Sequence, residues 1–151
     1  MKAIFLDLDG VLCVGNDPDL LDLYPLKNLK RVINKTGAVI VISSTWRTKP
    51  QWLELGTRQL NDVGIEIYGC TPIFRYTDHN DCSRAAEIRQ FLKNNPDIDK
   101  FAIIDDYDEA CLKEKTESFF LTSYDGYGLN NEIADKIINY LNGGKDAKEN
   151  L

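Results

Sequence analysis

Short continuous apolar runs alternate along this chain with stretches whose apolar residues recur every three or four positions. Ala3–Leu6, Ala38–Ile42, Ile65–Tyr68, Phe101–Ile104 and Ser118–Thr122 are runs of strand length, several of them β-branched. Between them lie helical spacings. Tyr24–Lys35 carries Leu26, Leu29, Val32 and Ile33, with Gly37 where a C-cap belongs. Pro50–Val63 carries Leu53, Leu60 and Val63 on one face, and Ser83–Asn94 turns Ala85, Ile88, Phe91 and Leu92 inward before Pro96. Asp108 and Glu109 can open a further helix toward Lys113 and Lys115. Asn131–Leu141 closes the series with Ile133, Ile137, Ile138 and Leu141. Strand alternating with helix predicts an α/β fold: a mainly parallel five-stranded sheet with helices on both sides. The connections are turn-rich: Gly15–Pro18 predicts a loop or small hairpin after the first strand, and Gly69–Asp81, which contains Pro72, has no period.

Composition narrows this only slightly. The 151 residues are enough for one domain with a sizeable core, expected over residues 1–142 with a flexible tail at 143–151. No apolar run approaches the length of a membrane span, and the apolar run before Asp7 is too short for a signal peptide. Cys13, Cys70, Cys82 and Cys111 form no Cys-x-x-Cys pair, and His79 stands apart from any ligand-like cluster. Structural zinc is therefore not expected. Reduced thiols, acting as buried fillers in a cytoplasmic protein, fit better. The net charge of −6 argues against a broad nucleic-acid surface, though not against a local basic groove.

The chemistry gathers where strands end. The first run leads into Asp7-Leu8-Asp9-Gly10, the second into Ser43-Ser44-Thr45-Trp46-Arg47, and the fourth into Asp105-Asp106. In an open parallel sheet these ends share one edge, the edge at which ligands bind. Continued as a strand, Asp7 and Asp9 would point the same way. Two carboxylates about 4 Å apart repel by roughly 4 kcal/mol at an effective dielectric near 20. A cation or a shared proton must offset that.

Asp7-Leu8-Asp9-Gly10-Val11-Leu12, Ser43, Arg84 at the start of a helix, and Asp105-Asp106 come in the order of the four motifs of the haloacid dehalogenase (HAD) superfamily, which the chain resembles over residues 3–106. The segments Val41–Arg47, Arg84–Ile88 and Ile103–Asp106 look like the HAD domains associated with "Swiss army knife" RNA-repair proteins. The resemblance implies a Rossmann-like, three-layer α/β/α sandwich and a phosphohydrolase. Asp7 would be the nucleophile, forming an aspartyl-phosphate, and Asp9 the general acid and base. Mg²⁺ would be held by the Asp7 carboxylate, the Asp9 backbone carbonyl and the Asp106 carboxylate, with Asp105 a supporting or alternative ligand. Ser43 and Arg84 would grip the phosphate, with Ser44 as a further phosphate contact. An acid at position 9 favours a phosphatase over a dehalogenase.

Plainer readings stand beside these. Asp-x-Asp-Gly also marks strand-to-turn transitions and calcium loops. Ser43 and Ser44 could be caps or turn formers, and Asp105-Asp106 could cap a helix. Arg84 could be a solvated first-turn residue, although a cation there opposes the helix dipole. Trp46 reads as a core or hinge anchor, and Arg47 as a substrate clamp or a surface salt-bridge residue. Tyr124, Tyr127 and the neighbouring Gly126 and Gly128 either rim the site or merely form a loop. Neither gap between the motifs has room for a folded cap domain, so the site should be open. An open site suits macromolecular ends or sizeable phosphoesters, and the subgroup resemblance implies a nucleotide, a nucleic-acid end or another phosphomonoester. The competing function is a non-hydrolytic phospho-receiver or phosphate-binding regulatory module on the same fold. Its acidic pair would follow the first strand as adjacent residues, whereas here the adjacent pair comes late.

Overall fold

In the computed structural model, which describes residues 1–74, 83–107 and 116–144, the strands form one all-parallel sheet. The strands are β1 (Lys2–Leu6), β2 (Val39–Ile42), β3 (Ile67–Cys70), β4 (Lys100–Asp105) and β5 (Phe119–Leu121), in the spatial order β3-β2-β1-β4-β5. The central strand is β1. Its Leu6 sits opposite Ile42 on one side and Ile104 on the other. The chain moves outward from β1 through β2 to β3, then returns to the far side of β1 to lay down β4. The topological switch therefore falls between β1 and β4, where the crevice at the carboxyl ends of the strands opens.

Strand alternation splits the core into two layers. Ile4 and Leu6 of β1, with Ile40, Ile42, Ala102 and Ile104, face α1 (Leu23–Thr36), α2 (Pro50–Asp62) and α4 (Asn131–Leu141). Ala3, Phe5, Val41 and Ile103 face α3 (Ser83–Asn94) through Ala85 and Ile88. Right-handed crossovers demand this split, because β1→β2→β3 and β3→β4 run in opposite directions across the sheet. Phe5 anchors the second layer with edge-on contacts to Phe91 and Phe101. Leu26, Leu29 and Val32 of α1 are buried, each worth about 1.5–3 kcal/mol of apolar burial.

The helices start and stop where the sequence signals them. α1 ends at Gly37, whose N–H donates to the Ile33 carbonyl. α2 opens on Pro50, and the Asn130 side chain accepts from the Ile133 N–H to cap α4. The third strand is displaced from its expected place. Gly64, at φ +74°, ends α2 in a Schellman motif: its N–H donates to the Asn61 carbonyl and the Ile65 N–H to the Leu60 carbonyl. Ile65 is thus the buried apolar contact of a helix cap, and pairing begins only at Ile67. A 3-10 turn over Thr45–Thr48, absent from the hydrophobic pattern, follows β2 directly.

Among the described residues no segment folds as a cap over the strand ends, and no helix is long and apolar enough to cross a membrane. Cys13 is buried and Cys70 half-buried, both as free thiols, and burial is the main reason the Cys13 thiol is pushed up to about 11. His79, Cys82, Cys111, the helix expected from Asp108 and most of the expected tail lie outside the described residues.

Candidate active site

The β1 strand ends at Leu6, and a tight turn follows: the Leu8 carbonyl accepts from the N–H groups of Val11, Leu12 and Cys13. Gly10 makes the turn possible. Its φ is +73°, and a Cβ there would run into the Asp106 carboxylate. Leu8 still packs in the layer of Ile4 and Leu6, and the Asp7 N–H still bonds to β4, so the strand's alternation runs on as far as the turn. The carboxylates that crowd Asp7 are Asp105 and Asp106, from the end of β4, each offering an oxygen within 4.8 Å of the others. Neighbouring backbone fixes the edge: Asp7 N–H donates to the Ile104 carbonyl at 3.0 Å, and Ser43 N–H to the Leu6 carbonyl at 3.0 Å.

Arg84 enters this cluster from the first turn of α3. Its Nη1 lies 2.6 Å from Asp105 Oδ2 and 3.3 Å from Asp7 Oδ2. These two carboxylates hold the guanidinium above its usual pKa although burial opposes it, so Arg84 stays charged. They also explain why a cation can sit at a helix N-terminus against the dipole. One guanidinium does not neutralise three carboxylates. Asp7 is pushed up to about 7, first by burial and then by Asp105 and Asp106, with Arg84 opposing. Burial likewise raises Asp106, and the charge of Asp105 adds to it.

Asp105 is wholly buried and both its oxygens are engaged, Oδ2 by Arg84 and Oδ1 by the Tyr107 N–H at 3.0 Å. Asp9 is half-buried, and its Oδ2 accepts from the Trp46 indole N–H at 3.2 Å. Trp46 is thus both the core residue its type suggests and a hydrogen-bond donor to the acidic loop. Ser44 and Ser43, side by side in sequence, part company. The Ser44 hydroxyl accepts from the Trp46 N–H and caps the 3-10 turn. The Ser43 hydroxyl is buried with no hydrogen-bond partner among the described residues.

Arg47, which the sequence offers as a substrate clamp or a surface salt-bridge residue, is buried at the ends of β2 and β3. Its buried guanidinium donates to the carbonyls of Ser43 and Ser44 at 2.8 and 2.7 Å and to those of Thr71 and Pro72 at 3.2 Å each. It also pairs with the buried Glu87 of α3. The residue ties the ends of β2 and β3 to α3, and so holds Ser43 in place. Thr122, which the sequence offers only as the last residue of a strand, does the same for the acidic loop. Its N–H donates to the Asp105 carbonyl at 2.9 Å and its hydroxyl to the Gly10 carbonyl at 2.8 Å. A hydroxyl residue ending an apolar run at the ligand edge was the signal available for it. Nothing in the sequence pairs Trp46 with Asp9, or Arg47 with Glu87.

The donors gathered around Asp7 are all carboxylate oxygens, the hard set that suits Mg²⁺, and the excess negative charge that raises Asp7 and Asp106 is what a divalent cation would relieve. With Asp105 bound to Arg84 and Tyr107, the carboxylates best placed as ligands are those of Asp7 and Asp106.

A family model of the HAD domain in Swiss Army Knife RNA repair proteins matches residues 3–134. No curated protein and no solved structure gives a significant match. The matched span runs from β1 into α4, and so takes in every strand of the sheet and the whole acidic edge. By that match the chain belongs to the HAD superfamily, in the family of HAD domains of Swiss Army Knife RNA repair proteins.

Proposed function

We propose that this HAD domain is a Mg²⁺-dependent phosphatase that works through an aspartyl-phosphate on Asp7. One observation carries the proposal. Asp7, Arg84 and Asp106, from three distant segments, converge on one strand edge with the guanidinium 3.3 Å from the Asp7 carboxylate. A carboxylate becomes a useful nucleophile toward phosphorus when its charge is partly offset and its target is polarised. Mg²⁺ bound by Asp7 and Asp106 would supply positive charge against the cluster and against the phosphoryl oxygens. The Asp7 oxygen attacks phosphorus, and the ester P–O bond breaks. Asp9, oriented by the Trp46 indole, gives its proton to the departing alcohol. The Asp9 carboxylate then takes a proton from water as that water attacks the phosphorus of the acyl phosphate, releasing phosphate and restoring Asp7. Arg84 and the unpartnered Ser43 hydroxyl hold phosphoryl oxygens as charge builds.

The substrate we favour is a nucleotide or the phosphorylated end of a nucleic acid. An uncapped edge admits a large phosphoester, and the family is named for RNA repair. A net charge of −6 gives little long-range pull on a polyanion, which favours recognition of a terminus over tracking of a strand. Hydrolysis of p-nitrophenyl phosphate with Mg²⁺, abolished by Asp7→Asn, is the expected result. No turnover, or turnover indifferent to Asp7→Asn, refutes the proposal. A long-lived phospho-Asp7 without phosphate release would favour the phospho-receiver instead. A screen over nucleotides, 3′- and 5′-phosphorylated oligonucleotides, sugar phosphates and phosphopeptides then ranks substrates.

A further inference from the structure

The loop after β5 is held on the acidic turn at both ends. Thr122 donates its hydroxyl to the Gly10 carbonyl at 2.8 Å, and the Leu129 N–H donates to the Val11 carbonyl at 2.9 Å. Between these anchors the chain folds back on itself: Tyr127 N–H donates to the Tyr124 carbonyl at 3.0 Å and Gly128 N–H to the Ser123 carbonyl at 2.9 Å. A Cβ at position 128 would strike the Val11 carbonyl oxygen, so the loop lies flush on the segment that follows Asp9. This loop is rigid by its hydrogen bonding, yet it leaves two aromatic rings in solvent. Tyr124 is 53% exposed and Tyr127 70% exposed. Tyr127 also adopts φ +62°, the one described residue other than glycine in the left-handed region. Such strain in an exposed residue is tolerated where the surroundings over-determine it, and it concentrates at ligand sites. Across the same edge Tyr107 follows Asp106 directly and is 62% exposed.

What sets Tyr124 and Tyr127 apart from other exposed aromatics such as Tyr24 and Tyr68 is that their loop is anchored to the acidic turn at Gly10 and Val11. The Tyr124 phenol is close enough to Asp9, Asp106 and Asp7 that their charge, after the desolvation that dominates, holds its pKa above the ordinary tyrosine value. The anchors at Gly10 and Val11 likewise set this loop beside the acids. A phosphomonoester bound at Asp7 and Arg84 would carry its leaving group past this loop.

We propose that Tyr124 and Tyr127, with Tyr107 beside Asp106, form an aromatic rim that stacks on a planar ring of the leaving group, so that the site selects nucleotide-type phosphomonoesters over aliphatic ones. The proposal rests on the phosphatase reading for where the phosphate sits, but its test does not need turnover. Aromatic stacking on a nucleobase accepts any base, because every base has a π-face.

The test is equilibrium binding, by calorimetry with Mg²⁺ present, of two non-hydrolysable probes: a 5′-phosphonate analogue of adenosine monophosphate, and propylphosphonate. Wild type should bind the nucleoside probe about tenfold or more tightly, the size of one stacked base. Tyr124→Ala and Tyr127→Ala should erode that preference by weakening the nucleoside probe, while Tyr124→Phe retains it. Equal affinity for the two probes overturns the proposal, and so does detectable binding of neither. A preference that survives both alanine substitutions, or that Tyr124→Leu preserves as well as Tyr124→Phe, overturns it too. A rim-dependent preference in a protein that hydrolyses no phosphomonoester would uphold the rim and remove the phosphatase. Hydrolysis without the preference would do the reverse.

Discussion

Replacing Asp7 by asparagine should stabilise the metal-free protein, and the gain should grow with pH. Asp7 is 5% exposed and its pKa is pushed from 3.8 up to about 7, chiefly by burial. Between those two values the native state holds a proton that the unfolded chain has lost. Stability therefore falls as pH rises across that window. Asp7's contribution is full below pH 3.8 and is gone once pH passes about 7. At 1.36 kcal/mol per unit, the ionised group costs the native state about 4 kcal/mol at pH 8. An asparagine side chain in its place cannot ionise, and Arg84 keeps its 2.6 Å partner Asp105. Asp7→Asn should then match wild type near pH 4 and exceed it by about 4 kcal/mol at pH 8, or about 10 °C in Tm for a chain of this size. Chemical denaturation in EDTA at four or five pH values measures the gap. Mg²⁺ should close it by stabilising wild type alone, through mass action on the folded state. A gap that stays constant with pH, or an asparagine variant less stable throughout, would show that Asp7 is not the strained carboxylate described.

Three further outcomes follow from the site's supports. Arg47→Met strands the buried Glu87 and leaves the carbonyls of Ser43, Ser44, Thr71 and Pro72 short of a donor. It should cost about 3–5 kcal/mol in urea denaturation, partly recovered in Arg47→Met/Glu87→Met, whereas a cost near zero would contradict a structural role. Ser43→Ala removes a buried hydroxyl with no hydrogen-bond partner among the described residues, so stability should hold or rise by up to about 1 kcal/mol while kcat/KM on a phosphomonoester drops about tenfold. Equal losses in both would mean that the hydroxyl serves folding. Gly10→Ala demands a left-handed alanine pressed into the Asp106 carboxylate, and should lower stability by about 2 kcal/mol or more with loss of Mg²⁺-induced stabilisation. An unchanged Mg²⁺ effect on Tm would count against Asp106 as a ligand.

Local pattern settled a good part of this protein. The β-branched runs and the 3.6-residue spacings mark strands and helices because burial on a sheet or a helix face imposes those periods, and Ser83–Asn94 and Asn131–Leu141 fall where they predict. The acids and hydroxyls at the ends of β1, β2 and β4 could be assigned to one edge from the parallel topology alone. Periodicity loses its grip where chain geometry is set by hydrogen bonds outside the ladder. Ile65 has the pattern of a strand residue and is the apolar contact of a helix cap, and the three N–H groups gathered on the Leu8 carbonyl close a turn that the apolar pattern does not mark. Which side chains touch was decided only by the tertiary fold. Trp46 reaches Asp9 across 37 positions, Arg84 reaches Asp105 across 21, and Thr122 reaches Gly10 across 112. Such pairs leave no periodic trace, since sequence spacing says nothing about distance between strands until their order is known. The order β3-β2-β1-β4-β5 brings β4 beside β1, and that adjacency joins Asp7 to the distant pair Asp105 and Asp106 in one charged cluster.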